Sequence, residues 1–274
     1  MNVDKVFCIN LDRRNDRWET VKPKIDNNMP KNMPHVEKFS ATDGHLLDDC
    51  EKQKLLTLRA KVDMIEPRHT HESIGTVGAI GCYLSHTAIW KMMVEQGWEK
   101  IIVFEDDIEF VSDFSDKFNK VLSEINDNFD KSHTFDMLVF GYYTIINMFD
   151  EYSESLYKCN GRYWGNYGYI LTQAGAKKML EGAFPLEMHL DSYIAFKCMV
   201  DPTLNVLFTK ENIVYMNDIG YKSDIYSSCV NGWLPDKILQ REPINHCKLP
   251  FWLRIKFFVQ NQIETGWLRY LRKF

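Results

Sequence analysis

Residues Val103–Phe110 read VFEDDIEF, and this stretch decides the fold. An apolar run, Ile101–Phe104, ends abruptly in three carboxylates, Glu105, Asp106 and Asp107. A short apolar run bounded by polar residues predicts a buried strand over Lys100–Phe104. Side chains alternate along a strand, so Glu105 and Asp107 are expected on one side and Asp106 on the other. Adjacent carboxylates repel one another unless a cation or basic group lies among them. Hard divalent cations take oxygen ligands, and two carboxylates at a strand end can share one. Such sites serve chemistry on phosphate-bearing substrates, whose charge the ion screens. The competing reading is a solvated strand end.

Working outward, Val3–Asn10 is a second apolar run suited to a buried strand. Leu11–Trp18 (LDRRNDRW) follows at once, with a helix expected from near Asn15 to Ile25. Asn27–Pro34 holds two prolines and several Asn and reads as loop. Val36–Ser40 is a strand closed by the turn signal Ala41-Thr42-Asp43-Gly44. Glu51–Lys61 has helix composition, and Glu66–Ser73 reads as a polar loop. Apolar residues at helical spacing predict a helix over Val77–Gln96, with Gly97 as its C-cap. Phe114–Ile125 is a further amphipathic helix and Phe135–Gly141 a further strand. This alternation predicts an α/β fold with a mostly parallel central sheet and flanking helices. Ligands of such sheets bind beyond the carboxyl ends of the strands. Asn10–Arg17 and Glu105–Asp107 both fall there, so basic and acidic groups can meet, as a nucleotide diphosphate with a metal would need.

The chain has 274 residues, 45% of them hydrophobic, which suffices for a sizeable core. We expect one domain over residues 1–247 and a separate tail over 248–274. A formal net charge of -5 weighs against nucleic acid as the main partner. No basic n-region precedes an apolar h-region, no stretch approaches a membrane span, and no N-x-Ser/Thr sequon occurs. Seven scattered cysteines without a C-x-x-C pair read as reduced thiols. These features predict a cytoplasmic protein, as a bacterial or viral chain would be. The tail, Lys248–Phe274, holds six basic residues against Glu264, with aromatic and aliphatic residues at helical spacing. Such a helix can lie on an anionic membrane surface or pack on the domain, and packing is the expectation.

Six segments in order resemble glycosyltransferase family 25, which includes lipooligosaccharide galactosyltransferases and collagen hydroxylysine galactosyltransferases. They are INLDRRNDRW (Ile9–Trp18), FSATDG (Phe39–Gly44), GAIGCYLSHTAIW (Gly78–Trp90), VFEDDIEF (Val103–Phe110), GYILTQAGAKKML (Gly168–Leu180) and Ser223-Asp224-Ile225. The resemblance implies a GT-A-like, Rossmann-type nucleotide-sugar-binding fold. It also implies a UDP-galactose or UDP-glucose donor, a manganese ion (Mn2+) and inversion at the anomeric carbon. The acceptor implied is a hydroxyl of a glycan or of hydroxylysine. A catalytically inactive sugar-nucleotide-binding member of the same fold is the alternative.

The resemblance also assigns residues. Asp107 is the first choice as metal ligand, with Glu105. Glu105 and Asp106 also border the donor, and Asn10, Arg13 and Asp16 lie beside the nucleotide. Arg17 is read as structural. The Ser85-His86 pair belongs near the donor pocket, with His86 a metal ligand, a base or a hydrogen-bonded structural residue. His69 and His71 could form a lid. The stretch Trp164, Gly165, Tyr167, Gly168 and Tyr169 either stacks on sugar or forms a turn and core. Asp191 is the candidate general base, with Glu187 in reserve. Asp191 is also suited to cap a helix starting at Ser192, and here a proline lies further from the acid than in the commoner family pattern. A further metal ligand is expected from Asn217, Asp218 or Asp224. Related lysyl hydroxylase glycosyltransferase domains place a histidine there, where this chain has Met216-Asn217.

Overall fold

A computed structural model describes residues 1–65, 74–128, 135–145 and 149–216. The apolar runs form strands where the sequence predicts them. β1 (Lys5–Asn10) leads into α1 (Asn15–Asn28), and β2 (Val36–Ser40) follows. α1 accommodates Pro23 and continues three residues past the expected Ile25. The single helix expected over Glu51–Lys61 is two helices, α2 (Asp49–Leu55) and α3 (Leu58–Ile65). Between them Leu56 forms a β-bridge with Leu186. Leu186 N–H donates to Leu55 O and Thr57 N–H to Leu186 O, at 2.7 and 2.9 Å. Tertiary pairing here overrides local helix propensity.

α4 (Val77–Gln96) begins at Thr76, whose hydroxyl accepts from Ala79 N–H, and ends at Gly97 with φ 73°. A polar cap satisfies one orphan amide, and glycine takes the left-handed end without a Cβ clash. Then come β3 (Lys100–Glu105), β4 (Ile108–Phe110), α5 (Phe114–Asn128) and β5 (Met137–Gly141). Short strands follow: β6 (Thr144–Ile145), β7 (Asp150–Glu151), β8 (Leu156–Lys158) and β9 (Tyr163–Trp164). β10 (Gly168–Thr172), α6 (Gln173–Leu180), α7 (Leu190–Val200), β11 (Val206–Thr209) and β12 (Val214–Met216) complete the described elements.

The main sheet runs β2-β1-β3-β10-β5-β11-β8-β7. β2, β1, β3, β5 and β11 share one direction, and β10 lies antiparallel between β3 and β5. The fold is therefore α/β with a large, mostly parallel central sheet. Alternation along β1 and β3 divides the core in two. Phe7, Ile9, Ile101 and Val103 face the α4 side with Trp90 and Met93. Val6, Cys8, Ile102 and Phe104 face the other side with Val21 and Ile25 of α1 and Phe118 of α5. Among the described residues no helix is long and apolar enough to cross a membrane. The five described cysteines are free. Residues 217–274, including the basic tail, lie outside the described residues.

Candidate active site

β2, β1 and β3 run the same way, so their carboxyl ends form one edge. An open cleft lies on it. It is lined by the three carboxylates, by Arg13 and Arg17 after β1, by Thr42–His45 after β2, and by Cys82, Ser85 and His86 of α4.

The turn after β2 is clamped to α4. A Cβ on Gly44 would lie 1.8 Å from Val77 O, and one on Gly81 would lie 2.4 Å from Thr42 O. Only glycine permits so close a backbone approach. Ser85 completes the clamp: its Oγ donates to Gly81 O at 2.7 Å and accepts Thr42 N–H at 2.9 Å. At the lip, Arg13 Nε donates to Asp43 Oδ2 at 2.9 Å.

The carboxylates do not alternate as expected. β1–β3 pairing ends at Ile9 and Glu105. Glu105 continues the α4-facing row, and its Oε1 lies 3.4 Å from His86 Nε2. The chain bends at Asp106 and Asp107, and both turn to the α1 side. Arg17 Nη1 is 2.8 Å from Asp106 Oδ1 and 3.4 Å from Asp107 Oδ2. Asn10 Nδ2 donates to Asp106 Oδ2 at 2.6 Å and to Arg14 O at 2.9 Å. Asp106 is thus bonded through both oxygens. Among the described residues, Asp107 Oδ1, Asn10 Oδ1 and His86 Nε2 are buried without a hydrogen-bond partner.

Burial, with the charges of Asp106 and Asp191, pushes the Glu105 carboxyl up to about 8. Burial, with Glu105 and Asp106, pushes Asp107 to about 7, while Arg17 opposes both shifts. Burial holds His86 down to about 3, so its ring is neutral. Two acids held uncomfortably in a concave site are the signature of a place where a cation can bind. Asp107, with its orphan oxygen, fits a hard divalent ion best, and Glu105 stands across the strand end.

Ser85 and His86 both line the cleft, and His86 is also built into the core. Its Nδ1 meets the Tyr169 hydroxyl at 2.9 Å, and Trp90 Nε1 donates to the same oxygen at 2.9 Å. Asp16 faces away from the main cleft. It is exposed, pairs with Arg14 at 2.8 Å, and is held at about 2 by that partner. It borders a second recess shared with Thr20, Lys24 and Asp107.

Asp191 lies inside the first turn of α7, and the N-cap position is His189, so the expected helix start at Ser192 is two residues late. Its Oδ1 accepts Ser192 N–H at 2.7 Å, and its Oδ2 accepts the N–H of Gly165, at φ 80°, at 2.9 Å. Its charge reaches the cleft, since it helps to raise both Glu105 and Cys82. Glu187 is paired instead with Arg59 of α3 at 3.5 Å. Tyr167 and Tyr169 are buried core residues, and Trp164 is half-buried. Asn217, Asp218 and Asp224 lie outside the described residues, as do His69 and His71.

Sequence reasoning did not single out Cys82 or the support of His86 by Tyr169. Cys82 carried a signal, since it sits four residues before His86 on one helix face. Tyr169, far along the chain, carried none.

The fold and cleft place the chain among α/β proteins whose ligand site lies beyond the carboxyl ends of parallel strands. Sequence comparison gives the family. The profile described as "Glycosyltransferase family 25 (LPS biosynthesis protein)" matches residues 3–194, and the chain belongs to that family. A "Glycosyltransferase 25 family member" of Aedes aegypti is 32% identical over 248 residues, covering 83% of this chain and 39% of the relative. Human "Procollagen galactosyltransferase 2" is 28% identical over 218 residues, covering 78% and 32%. A Bos taurus relative named "Probable inactive glycosyltransferase 25 family member 3" is 28% identical over 186 residues, covering 66% and 29%. The chain thus spans two fifths or less of the length of these relatives.

Proposed function

We propose that this chain is an inverting glycosyltransferase that moves a hexose, galactose first among the candidates, from a UDP-sugar to a hydroxyl acceptor. The observation that carries this reading is the carboxylate cluster at the end of β3, with Asp107 Oδ1 buried at a cleft and unpaired among the described residues. Family membership and the names of the relatives support it. A Mn2+ ion suits this oxygen-rich set, with Asp107 and Glu105 as its holders. Such an ion supplies positive charge against the diphosphate of the leaving UDP. The chain's own residues do the rest. Arg13 stands at the lip beside Asp43, within reach of a phosphate entering the cleft. Arg17 and Asn10 brace Asp106 so that the acidic edge keeps its shape.

Inversion needs the acceptor hydroxyl to attack the anomeric carbon from the face opposite UDP while a base takes its proton. Asp191 is the proposed base. The Gly165 and Ser192 amides fix its carboxylate, and its field reaches Glu105. The acceptor classes that fit the relatives' names are a hydroxylysine of a collagen-like protein and a lipopolysaccharide sugar. A cytoplasmic location remains part of this proposal, with membrane contact through the tail as its variant.

The test is donor hydrolysis and transfer across a panel of UDP-sugars with Mn2+, followed by analysis of the product's anomeric configuration. Release of UDP from one UDP-hexose above the others is the expected result. Binding of UDP and Mn2+ with no turnover of any donor would overturn it in favour of an inactive binding member.

A further inference from the structure

The α4 side of the cleft holds a second, softer set of donor atoms. Cys82 and His86 lie four apart on α4, so their side chains share one face. Glu105 meets them from the end of β3. The thiol sulfur, a ring nitrogen and a carboxylate oxygen all lie within 4.8 Å of one another. We propose that Cys82, His86 and Glu105 form a site for a borderline transition-metal ion of the zinc class. This site shares Glu105 with the proposed hard-cation position and differs from it in using Cys82 and His86 in place of Asp107.

Three features argue for it. First, sulfur, imidazole and carboxylate donors suit zinc, whereas manganese and magnesium favour all-oxygen sets. Second, His86 Nε2 is buried, lacks a hydrogen-bond partner among the described residues, and faces Glu105 at 3.4 Å. Two N/O ligands, each about 2.0–2.1 Å from a tetrahedral zinc, sit about 3.3–3.4 Å apart. The observed separation is one edge of that tetrahedron. Third, Nδ1 of the same ring is held by the Tyr169 hydroxyl, itself anchored by Trp90. Such an outer partner fixes the ring and leaves Nε2 for the ion. Binding forms a metal–sulfur bond and releases to solvent the Cys82 thiol proton and any proton held on the Glu105 carboxyl. Three protein ligands leave a fourth position open to the cleft, and the ion ties α4 to the end of β3.

Cobalt(II) serves as the probe, because a cobalt–thiolate bond gives a near-ultraviolet charge-transfer band. The 274-residue chain is expected to develop this band at one equivalent of Co2+, and Zn2+ should displace it. Cys82→Ser should abolish the band. Asp107→Asn should keep it, because Asp107 is not among the three donors, so loss of sugar transfer in that variant and loss of this band are distinguishable. Tyr169→Phe should weaken affinity by roughly 10–100-fold while keeping the band. Should Cys82→Ser fail to fold, alkylation of Cys82 in the unmutated chain replaces it: Zn2+ should protect that thiol. No band in the unmutated chain, an undiminished band in Cys82→Ser, or equal alkylation with and without Zn2+ would overturn the proposal.

Discussion

Glu105 and Asp106 are neighbours in the chain, both half-buried, and are partnered in opposite ways. On the α1 side, Asp106 spends both oxygens on Arg17 and Asn10. On the α4 side, Glu105 faces a neutral imidazole at 3.4 Å, and burial and like charges push its carboxyl up to about 8. A carboxylate bonded through both oxygens fixes its neighbours in place, and one without such bonds is left to take a cation. The difference sorts the cluster into a brace and a ligand-facing pair, Glu105 and Asp107.

The largest effect is expected from Asp107→Asn. It should abolish transfer and weaken Mn2+-dependent UDP binding, while circular dichroism stays native. Unchanged turnover and manganese affinity would remove Asp107 from the ligand-facing pair. Next, Asp191→Asn should lower kcat by roughly 10²–10⁴-fold with donor affinity nearly unchanged, because a base acts on the acceptor's proton. A variant that loses thermal stability but keeps turnover in its folded fraction would make Asp191 a tie between α7 and Gly165 instead.

The brace can be broken directly. Arg17→Met leaves Asp106 and Asp107 buried without their cation and should cost about 3–5 kcal/mol in urea unfolding. Glu105→Gln should leave stability unchanged or raise it, since a neutral amide replaces a carboxyl whose ionisation the fold disfavours. The reverse ranking would dissolve the comparison.

The smallest effect is in pH. Glu105 and Asp107 ionise near their ordinary 4.5 and 3.8 when unfolded, but near 8 and 7 in the fold. The folded state holds the extra protons, so these groups lower stability as pH rises through that window. His86, neutral down to about 3, acts oppositely, and its contribution is complete above its ordinary 6.5. Between pH 6.5 and 8 the melting temperature of the metal-free chain should therefore fall, and Glu105→Gln should flatten the slope. A melting temperature that climbs across this interval would show the carboxylates to be better paired than their surroundings suggest.

Much of this architecture was legible. β1, β3 and β5 are short apolar runs, and α4 is periodic with a glycine stop, so local pattern and tertiary fate agree. The meeting of Asn10 and Arg17 with the acidic edge followed from two strands ending together. What was hidden depended on distant residues. The break between α2 and α3 is set by Leu186. The turn of Asp107 toward Arg17 is set by where pairing with β1 stops. The role of Tyr169 behind His86 depends on the antiparallel seat of β10, which nothing local in Gly168–Thr172 announces.

That seat has a consequence for synthesis. β3 is a central strand, yet its second neighbour is β10, and residues 106–167 must all emerge before Gly168–Thr172 can pair with it. Until then, one flank of Lys100–Glu105 is a row of open amides and carbonyls beside four apolar side chains that end up buried. Such an edge templates pairing with other chains. A chain stopped upstream of residue 168 would carry the acidic cluster and most of the cleft's residues, and would be expected to aggregate.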